Sequence, residues 1–201
     1  MSTGLKVVLG VLAVLILTAV SVIGWGVSVY NKIVSADEGV KSAWGQVENQ
    51  YQRRYDLIPN LVETVKGFAK QEKDVLENVT AARASVGSLK VTPEVLGDPQ
   101  AFARFQQAQD GLSSALSRLL VVTENYPNLK SNENFLTLQS QLEETENRIS
   151  VERRGFNETV QTFNTLIRKF PGSMVAGFGG FKELQYFKAA SAAEEAPKVK
   201  F

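Results

Sequence analysis

The sequence predicts an all-α protein with an N-terminal transmembrane helix followed by an antiparallel, up-and-down bundle of three to four long helices. Residues 7–30 carry no charge. As a helix, a segment of this length is long enough to cross a hydrocarbon core of about 30 Å. Apolar residues then recur at helical spacing through residues 40–170. Proline and glycine positions divide this stretch into separate helices joined by short connections, which is typical of a bundle.

Residues 7–30 have the flanks of a membrane anchor. Lys6 lies on one side, and Lys32 and Asp37 lie on the other. Trp25 and Tyr30 fall near the second boundary, where amphipathic rings are enriched. We therefore expect the chain to contact membrane lipid through residues 7–30.

A cleaved secretory signal is the alternative for this segment, with Ala19-Val20-Ser21 as a small-residue cleavage site. Apolar character continues past that site to Val29, whereas a signal needs an apolar region of only about 7–15 residues. A retained anchor is therefore favoured. The chain contains no cysteine, so a lipoprotein anchor is excluded.

The composition excludes several classes of function. The 22 Lys and Arg nearly balance the 21 Asp and Glu, so no strong positive field attracts nucleic acid. Without histidine, Ser-His-Asp catalysis and the His-based zinc motif are impossible, and without cysteine so are thiol chemistry and disulfides. We expect a protein that is not an enzyme and has no metal, cofactor or small-molecule substrate.

The first bundle helix is predicted from two heptad series. One is Val40, Val47, Arg54, Leu61, Phe68, Val75 and Ala82, and the other is Trp44, Tyr51, Ile58, Val65, Glu72 and Val79. Pro59 removes a backbone hydrogen bond and should kink or end the helix. The register passes through Pro59 without a slip, which favours one long kinked rod. A new helix capped by Asp56 is the alternative.

Later helix boundaries follow from capping residues and prolines. Thr92 and Asp98 each precede a proline at a first helical position, and the helix after Asp98 should end at Tyr126. The last long helix should begin near Asn132 and stop at Pro171.

The predicted division of the chain is a tail (1–6), a transmembrane helix (7–30), a bundle (31–172), an apolar Gly/aromatic segment (173–187) and a disordered tail (188–201). Within the apolar segment, the glycines of Gly177-Phe178-Gly179-Gly180 suggest a flexible connection.

Charged residues on otherwise apolar faces form a candidate structural polar layer. Its members are Arg53, Arg54, Asp56, Glu146, Arg153 and Arg154. Glu152 is a further residue that could meet Arg54 in the bundle. A buried ion-pair layer that sets helix register is favoured over catalysis, because burial denies access to a substrate. An open pocket lined by Arg53 or Arg154 would instead favour an enzyme acting on an anionic substrate.

The apolar segment supplies candidate contacts with a partner protein or the membrane. These are Val175, Phe178, Phe181, Tyr186 and Phe187. They either fold back to close one end of the bundle core or dock onto a partner or the membrane interface.

Two motifs resemble the LemA family of bacterial membrane proteins: QRRYDLIPNLV at 52–62 and TENRISVERR at 145–154, followed by a closing FP at 170–171. The resemblance extends over nearly the whole chain from the anchor to Phe187. It implies a single-pass membrane protein with an antiparallel helical bundle and no established enzymatic activity. A magnetosome-associated branch of the family is similar, which hints at a role in membrane organisation.

The expected function is a membrane-anchored scaffold at the bacterial inner membrane that self-associates or binds other membrane proteins. An accessory subunit of a membrane protease or envelope-stress system is an alternative, and an enzyme using the Arg/Glu cluster is a weaker one. The charges that flank the anchor nearly balance across it, with Lys6 and the free amino terminus on one side and Lys32 and Lys41 on the other. Either orientation is compatible with them, and we favour the bundle outside the cytoplasm.

Overall fold

The computed structural model describes residues 3–89 and 92–188, in which helices form nearly all of the regular structure and no strand occurs. The helices are α1 (Thr3–Phe68), α2 (Lys73–Gly87), a 3-10 helix (Pro93–Gly97), α3 (Pro99–Thr123), α4 (Pro127–Lys130), α5 (Glu133–Arg168) and α6 (Gly172–Gly179). The predicted all-α class, with a long apolar N-terminal helix followed by further helices, is confirmed.

Helix α1 has an exposed apolar part and a packed part. At about 1.5 Å per residue its 66 residues extend over roughly 100 Å. Its apolar N-terminal part is long enough to cross a membrane, and no residue of that stretch is buried. The first buried side chain is Ile33, and from there onward buried residues recur at heptad spacing through Val65. One continuous helix therefore joins the candidate membrane span to the bundle.

Contacts between helices show the relative directions of α1, α2, α3 and α5. Arg83 on α2 contacts Tyr55 on α1, so α2 runs back along α1. Trp44 and Arg54 on α1 contact α3 at Phe102 and Ser113, so α1 and α3 are parallel. Arg54 contacts Glu146 on α5, whereas Trp44 contacts Phe156, so α5 is antiparallel to α1. The four helices alternate in direction along the chain, as predicted.

The rod predicted through residue 82 is wrong at its end. Helix α1 continues through Pro59 but stops at Phe68, and α2 starts only at Lys73. The turn at 69–72 is fixed by Ala69, which is fully buried, and by Glu72, whose carboxylate accepts a hydrogen bond from Tyr126 Oη at 2.8 Å. The heptads continue across the turn because both helices bury the same type of stripe, so the pattern cannot distinguish a rod from a hairpin.

Helix α2 compensates for Pro59. Proline has no N–H, so the carbonyl of Tyr55, four residues earlier, loses its helical donor. Arg83 Nε donates to that carbonyl at 3.2 Å, and the Arg83 guanidinium lies 3.8 Å from the centre of the Tyr55 ring. Gly87 allows this close packing, because a Cβ there would lie 2.8 Å from Tyr55 Oη. One side chain thus satisfies the carbonyl and joins α2 to α1.

Capping hydrogen bonds form at two of the three predicted helix starts. Asp98 accepts hydrogen bonds from the N–H groups of Gln100 and Ala101 at the start of α3, and Asn132 accepts one from the N–H of Phe135 at the start of α5. The Thr92 side chain makes no capping bond, and only the short 3-10 helix follows it.

The bundle contains two hydrophobic clusters. The cluster nearer the candidate span, here the proximal core, has at its centre Trp44, Phe102, Phe105, Phe156 and Phe187. The second, the distal core, is built on aliphatic residues with Phe135, and includes Ile58, Leu61, Leu112, Leu119 and Leu142.

The glycine-rich stretch is a helix end, and the predicted flexible connection is wrong. Gly177 lies within α6, and Gly180 adopts φ +72° and donates to the carbonyl of Ala176, which is a C-terminal glycine cap. Gly172 is required at the start of α6, because a Cβ there would lie 2.0 Å from the carbonyl oxygen of Leu166. An extended strap, residues 181–188, follows α6. The predicted disordered tail (188–201) lies outside the described residues apart from Lys188.

Candidate functional site

A buried polar layer separates the proximal core from the distal core. Arg54 is 1% exposed and lies on α1 between Tyr51, which packs in the proximal core, and Ile58, which packs in the distal core. Its Nη1 donates to Ser113 Oγ at 2.7 Å and to Glu146 Oε2 at 2.8 Å, and its Nη2 donates to the side-chain oxygen of Gln109. One guanidinium therefore joins α1, α3 and α5 in a single layer.

The layer is buried on the side of Gln109 and open to solvent on the side of Glu146. Gln109 is 3% exposed, whereas the Glu146 side chain is 48% exposed and also accepts from Ser113 Oγ at 3.0 Å. An open depression of about 230 Å³, bordered by Leu116 and Leu142, lies beside the ion pair. Because the terminal nitrogens of Arg54 are already engaged by the protein, this geometry suits a register-setting contact better than substrate binding.

Burial also affects Tyr51, one turn before Arg54. Its ring centre lies 5.2 Å from the Arg54 guanidinium carbon, and its hydroxyl is buried without a hydrogen-bond partner among the described residues. Burial raises the pKa of Tyr51 from 10.0 to about 12, because the phenolate would lose its hydration. The hydroxyl thus stays neutral, and its burial without a partner lowers the stability of the fold.

The other predicted members of the layer lie elsewhere. Arg53 is exposed, 3.6 Å from the carboxylate of Glu144, and Asp56 is exposed and accepts from the side chain of Gln52. Arg148 forms a surface ion pair with Glu144, and this arginine, followed by Arg53, lowers the pKa of that carboxyl.

Arg153 and Arg154 line an open groove of about 680 Å³. The guanidinium of Arg153 lies 4.5 Å from the centre of the Phe187 ring and 3.7 Å from Asp110. Arg154 is exposed, and Glu158 supplies the groove with a carboxylate. An arginine in an open pocket is the arrangement that would favour an enzyme. This groove, however, is open to water, which weakens electrostatic stabilisation of a reacting group.

Amide side chains hold the strap, which sequence reasoning did not anticipate. Asn164 donates to the carbonyl of Leu184 and accepts from its N–H, both at 2.9 Å. Asn157 makes the same pair of bonds with Phe187, at 3.0 and 2.9 Å, and Gln106 does so with Lys188. A signal was present, because the two asparagines are seven residues apart and each follows a buried phenylalanine of the α5 stripe.

The five apolar residues predicted to contact a partner or the membrane are divided by the structure. Phe187 is 6% exposed, with its ring centre 6.0 Å from that of Trp44 and 5.0 Å from that of Phe102. Val175 and Phe181 are half-buried and Tyr186 is 41% exposed, whereas Phe178 is 92% exposed. The strap therefore closes the proximal core, and α6 leaves one aromatic ring in solvent.

The sequence is similar to known proteins over most of its length. The LemA family model matches residues 43–201. Magnetosome protein MamQ of Magnetospirillum gryphiswaldense is 29% identical over 192 residues, covering 88% of this chain and 71% of that protein. Magnetosome protein MamQ 2 of Paramagnetospirillum magneticum is 27% identical over 201 residues, covering 90% and 74%. The candidate membrane span of α1 and these similarities are consistent with a membrane-associated protein. The chain belongs to the LemA family.

Proposed function

We propose that this protein is a membrane-anchored helical scaffold, which self-associates or binds other membrane proteins through its bundle. Residues 7–30 lie in the bacterial inner membrane, and the bundle lies on the non-cytoplasmic side. The relatives named as magnetosome proteins support a role in organising membrane-bound assemblies.

The observation that carries this proposal is the continuity of α1. The helix runs from Thr3 to Phe68 without interruption, and its packed part contributes to both cores. A hinge of flexible residues between anchor and bundle would let the bundle reorient freely. A continuous helix instead holds the bundle at a fixed orientation to the membrane, which suits a scaffold.

Exposed side chains on the outer surface of the bundle offer positions at which association can be tested. Val121 is 70% exposed on α3, and Leu136 and Val151 are 47% and 60% exposed on α5. Single exposed apolar residues are common, so these positions serve as crosslinking sites for testing association.

Crosslinking in cells tests the proposal. The chain has no cysteine, so Val151→Cys or Leu136→Cys introduces one reactive thiol, and the unmodified chain is the control. We expect a bifunctional maleimide to join two copies of the chain or to join the chain to another membrane protein. A protein that stays monomeric when extracted in lipid nanodiscs and captures no partner would contradict a scaffold. Capture of a membrane protease alone would support the accessory-subunit alternative.

The orientation is tested separately. A reporter that is active only outside the cytoplasm, fused after Phe201, should be active. An inactive reporter, with a cytoplasmic reporter active at the same position, would place the bundle inside the cell.

A further inference from the structure

The outward face of α6 is apolar and exposed. Met174 is 57% exposed and Phe178 is 92% exposed, whereas Gly172 and Ala176 are buried against the bundle. Residues four apart share one face of a helix, so Met174 and Phe178 form a single outward stripe. Phe170, just before α6, is 77% exposed. Clustered exposed apolar residues of this kind mark an interaction surface.

This stripe adjoins the end of the candidate membrane span. The ring centre of Phe181, which directly follows the cap of α6, lies 5.8 Å from that of Tyr30, the last residue of the uncharged segment. Gly179 packs so closely here that a Cβ would lie 2.7 Å from the Phe181 ring and 3.2 Å from the Tyr30 ring. Helix α6 is therefore held at the level where α1 leaves the hydrocarbon region.

Exposed basic side chains lie near α6 in sequence and near the level of Tyr30 along α1. Lys169 and Lys182 flank α6 in sequence, and Lys32 follows Tyr30 by two residues on α1; all three are exposed. The carboxylate of Glu183 lies 3.5 Å from the guanidinium of Arg168, so this acid has a basic partner. Apolar side chains bordered by lysines are the composition of an element that lies at an anionic lipid surface.

We propose that α6 is a second membrane contact, in which Phe178, Met174 and Phe170 insert into the boundary between lipid headgroups and acyl chains. The lysines lie at the depth of the phosphates. This inference rests on the proposed function, because it requires α1 to span a bilayer. A bilayer is favoured over a protein as the occupant because α6 is held beside Tyr30, at the end of the candidate membrane span. Two contacts, one through the span and one through α6, fix the rotation of the bundle about the axis of α1.

Site-specific fluorescence tests the proposal on the full-length chain. The cysteine-free chain allows Phe178→Cys to be labelled with an environment-sensitive nitrobenzoxadiazole dye. The labelled protein is placed in nanodiscs of phosphatidylcholine and phosphatidylglycerol, with and without phosphatidylcholine spin-labelled near the top of its acyl chain. Val121→Cys is the matched control, being an exposed apolar site near the end of α3 that packs in the distal core. Ile16→Cys reports on the span itself, and Met174→Cys provides a second position on α6.

We expect blue-shifted emission and quenching by the spin-labelled lipid at positions 178 and 174, and neither effect at position 121. If position 16 is quenched by a deeply spin-labelled lipid while 178 and 174 behave like 121, α6 does not contact the membrane and the inference is wrong, although the anchor stands. If 178 is blue-shifted without lipid quenching, a protein covers the stripe and the inference is again wrong. If position 16 is not quenched, residues 7–30 do not lie in the bilayer, and both the proposed anchor and this inference are wrong.

Discussion

Replacing Arg54 tests the polar layer most sharply. In Arg54→Met, the buried side-chain oxygen of Gln109 loses its donor, which costs about 1–3 kcal/mol. The charge-assisted bond to Glu146 is also lost, but that carboxylate is half-exposed and recovers hydration, so its contribution is discounted. Methionine restores part of the packing. We expect a net loss of about 2 kcal/mol, below the range for breaking a buried ion pair, because the substitution leaves no buried charge without a partner.

Urea unfolding of the full-length protein in mild detergent, followed by circular dichroism, measures this loss. Because the free energy of unfolding falls by roughly 1–3 kcal/mol per molar urea, a loss of about 2 kcal/mol should lower the midpoint by about 0.7–2 M. Arg148→Met is the matched control, because Arg148 pairs with Glu144 on the exposed surface of α5 and should cost less than about 1 kcal/mol. Equal midpoints for the two variants would refute the argument that the layer contributes a buried, stabilising contact.

Three further predictions concern the helix contacts. Arg83→Met should cost about 1 kcal/mol in urea unfolding, and less in a Pro59→Ala background, where residue 59 regains an N–H for the Tyr55 carbonyl. Tyr51→Phe should be at least as stable as the parent at neutral pH, because it removes a buried hydroxyl without a partner. Its advantage should grow from pH 10 to 12, since the unfolded parent ionises near 10.0 and the folded parent only near 12, with about 1.4 kcal/mol per pKa unit. Asn164→Ala should speed hydrogen exchange of the strap amide to which its side chain is bonded, measured by mass spectrometry.

Each of these has a contrary outcome. An Arg83→Met cost that is unchanged by Pro59→Ala would show that the arginine does not act through the orphaned carbonyl. A constant difference between Tyr51→Phe and the parent from pH 9 to 12 would show that the hydroxyl is solvated in the folded state. Strap exchange that accelerates equally in Gln161→Ala, an exposed site on α5, would show that the Asn164 amide is not a specific clamp.

Heptad spacing predicted which faces of the helices are buried, and the structure buries Val40, Val47, Leu61 and Val65 accordingly. It could not predict the reversal at 69–72, because the same stripe serves a rod or a hairpin. It also missed why Pro59 is tolerated, since the compensating group, Arg83, comes from another helix.

The polar layer was foreseen only in part. Arg54 and Glu146 are predicted because each is a charged residue within an apolar stripe. Arg153 interrupts the same apolar stripe, so the sequence predicts it in the layer as well. It lies seven residues after Glu146, which is about 10 Å along α5, and therefore contacts Phe187 of the proximal core. The helix α6 was missed because a glycine-rich sequence has weak helical propensity, and its packing against α1 and α5 overrides that weakness.

The state of the N-terminal segment in the cell decides the central claim that α1 holds the bundle at a membrane. Cells producing the protein are fractionated, the membranes are washed with alkaline carbonate, and the intact mass and N-terminal residue of the chain are determined. We predict that the chain remains in the washed membranes with residues 7–30 present. A chain that begins just after Ser21 and is recovered in the soluble fraction would contradict the account.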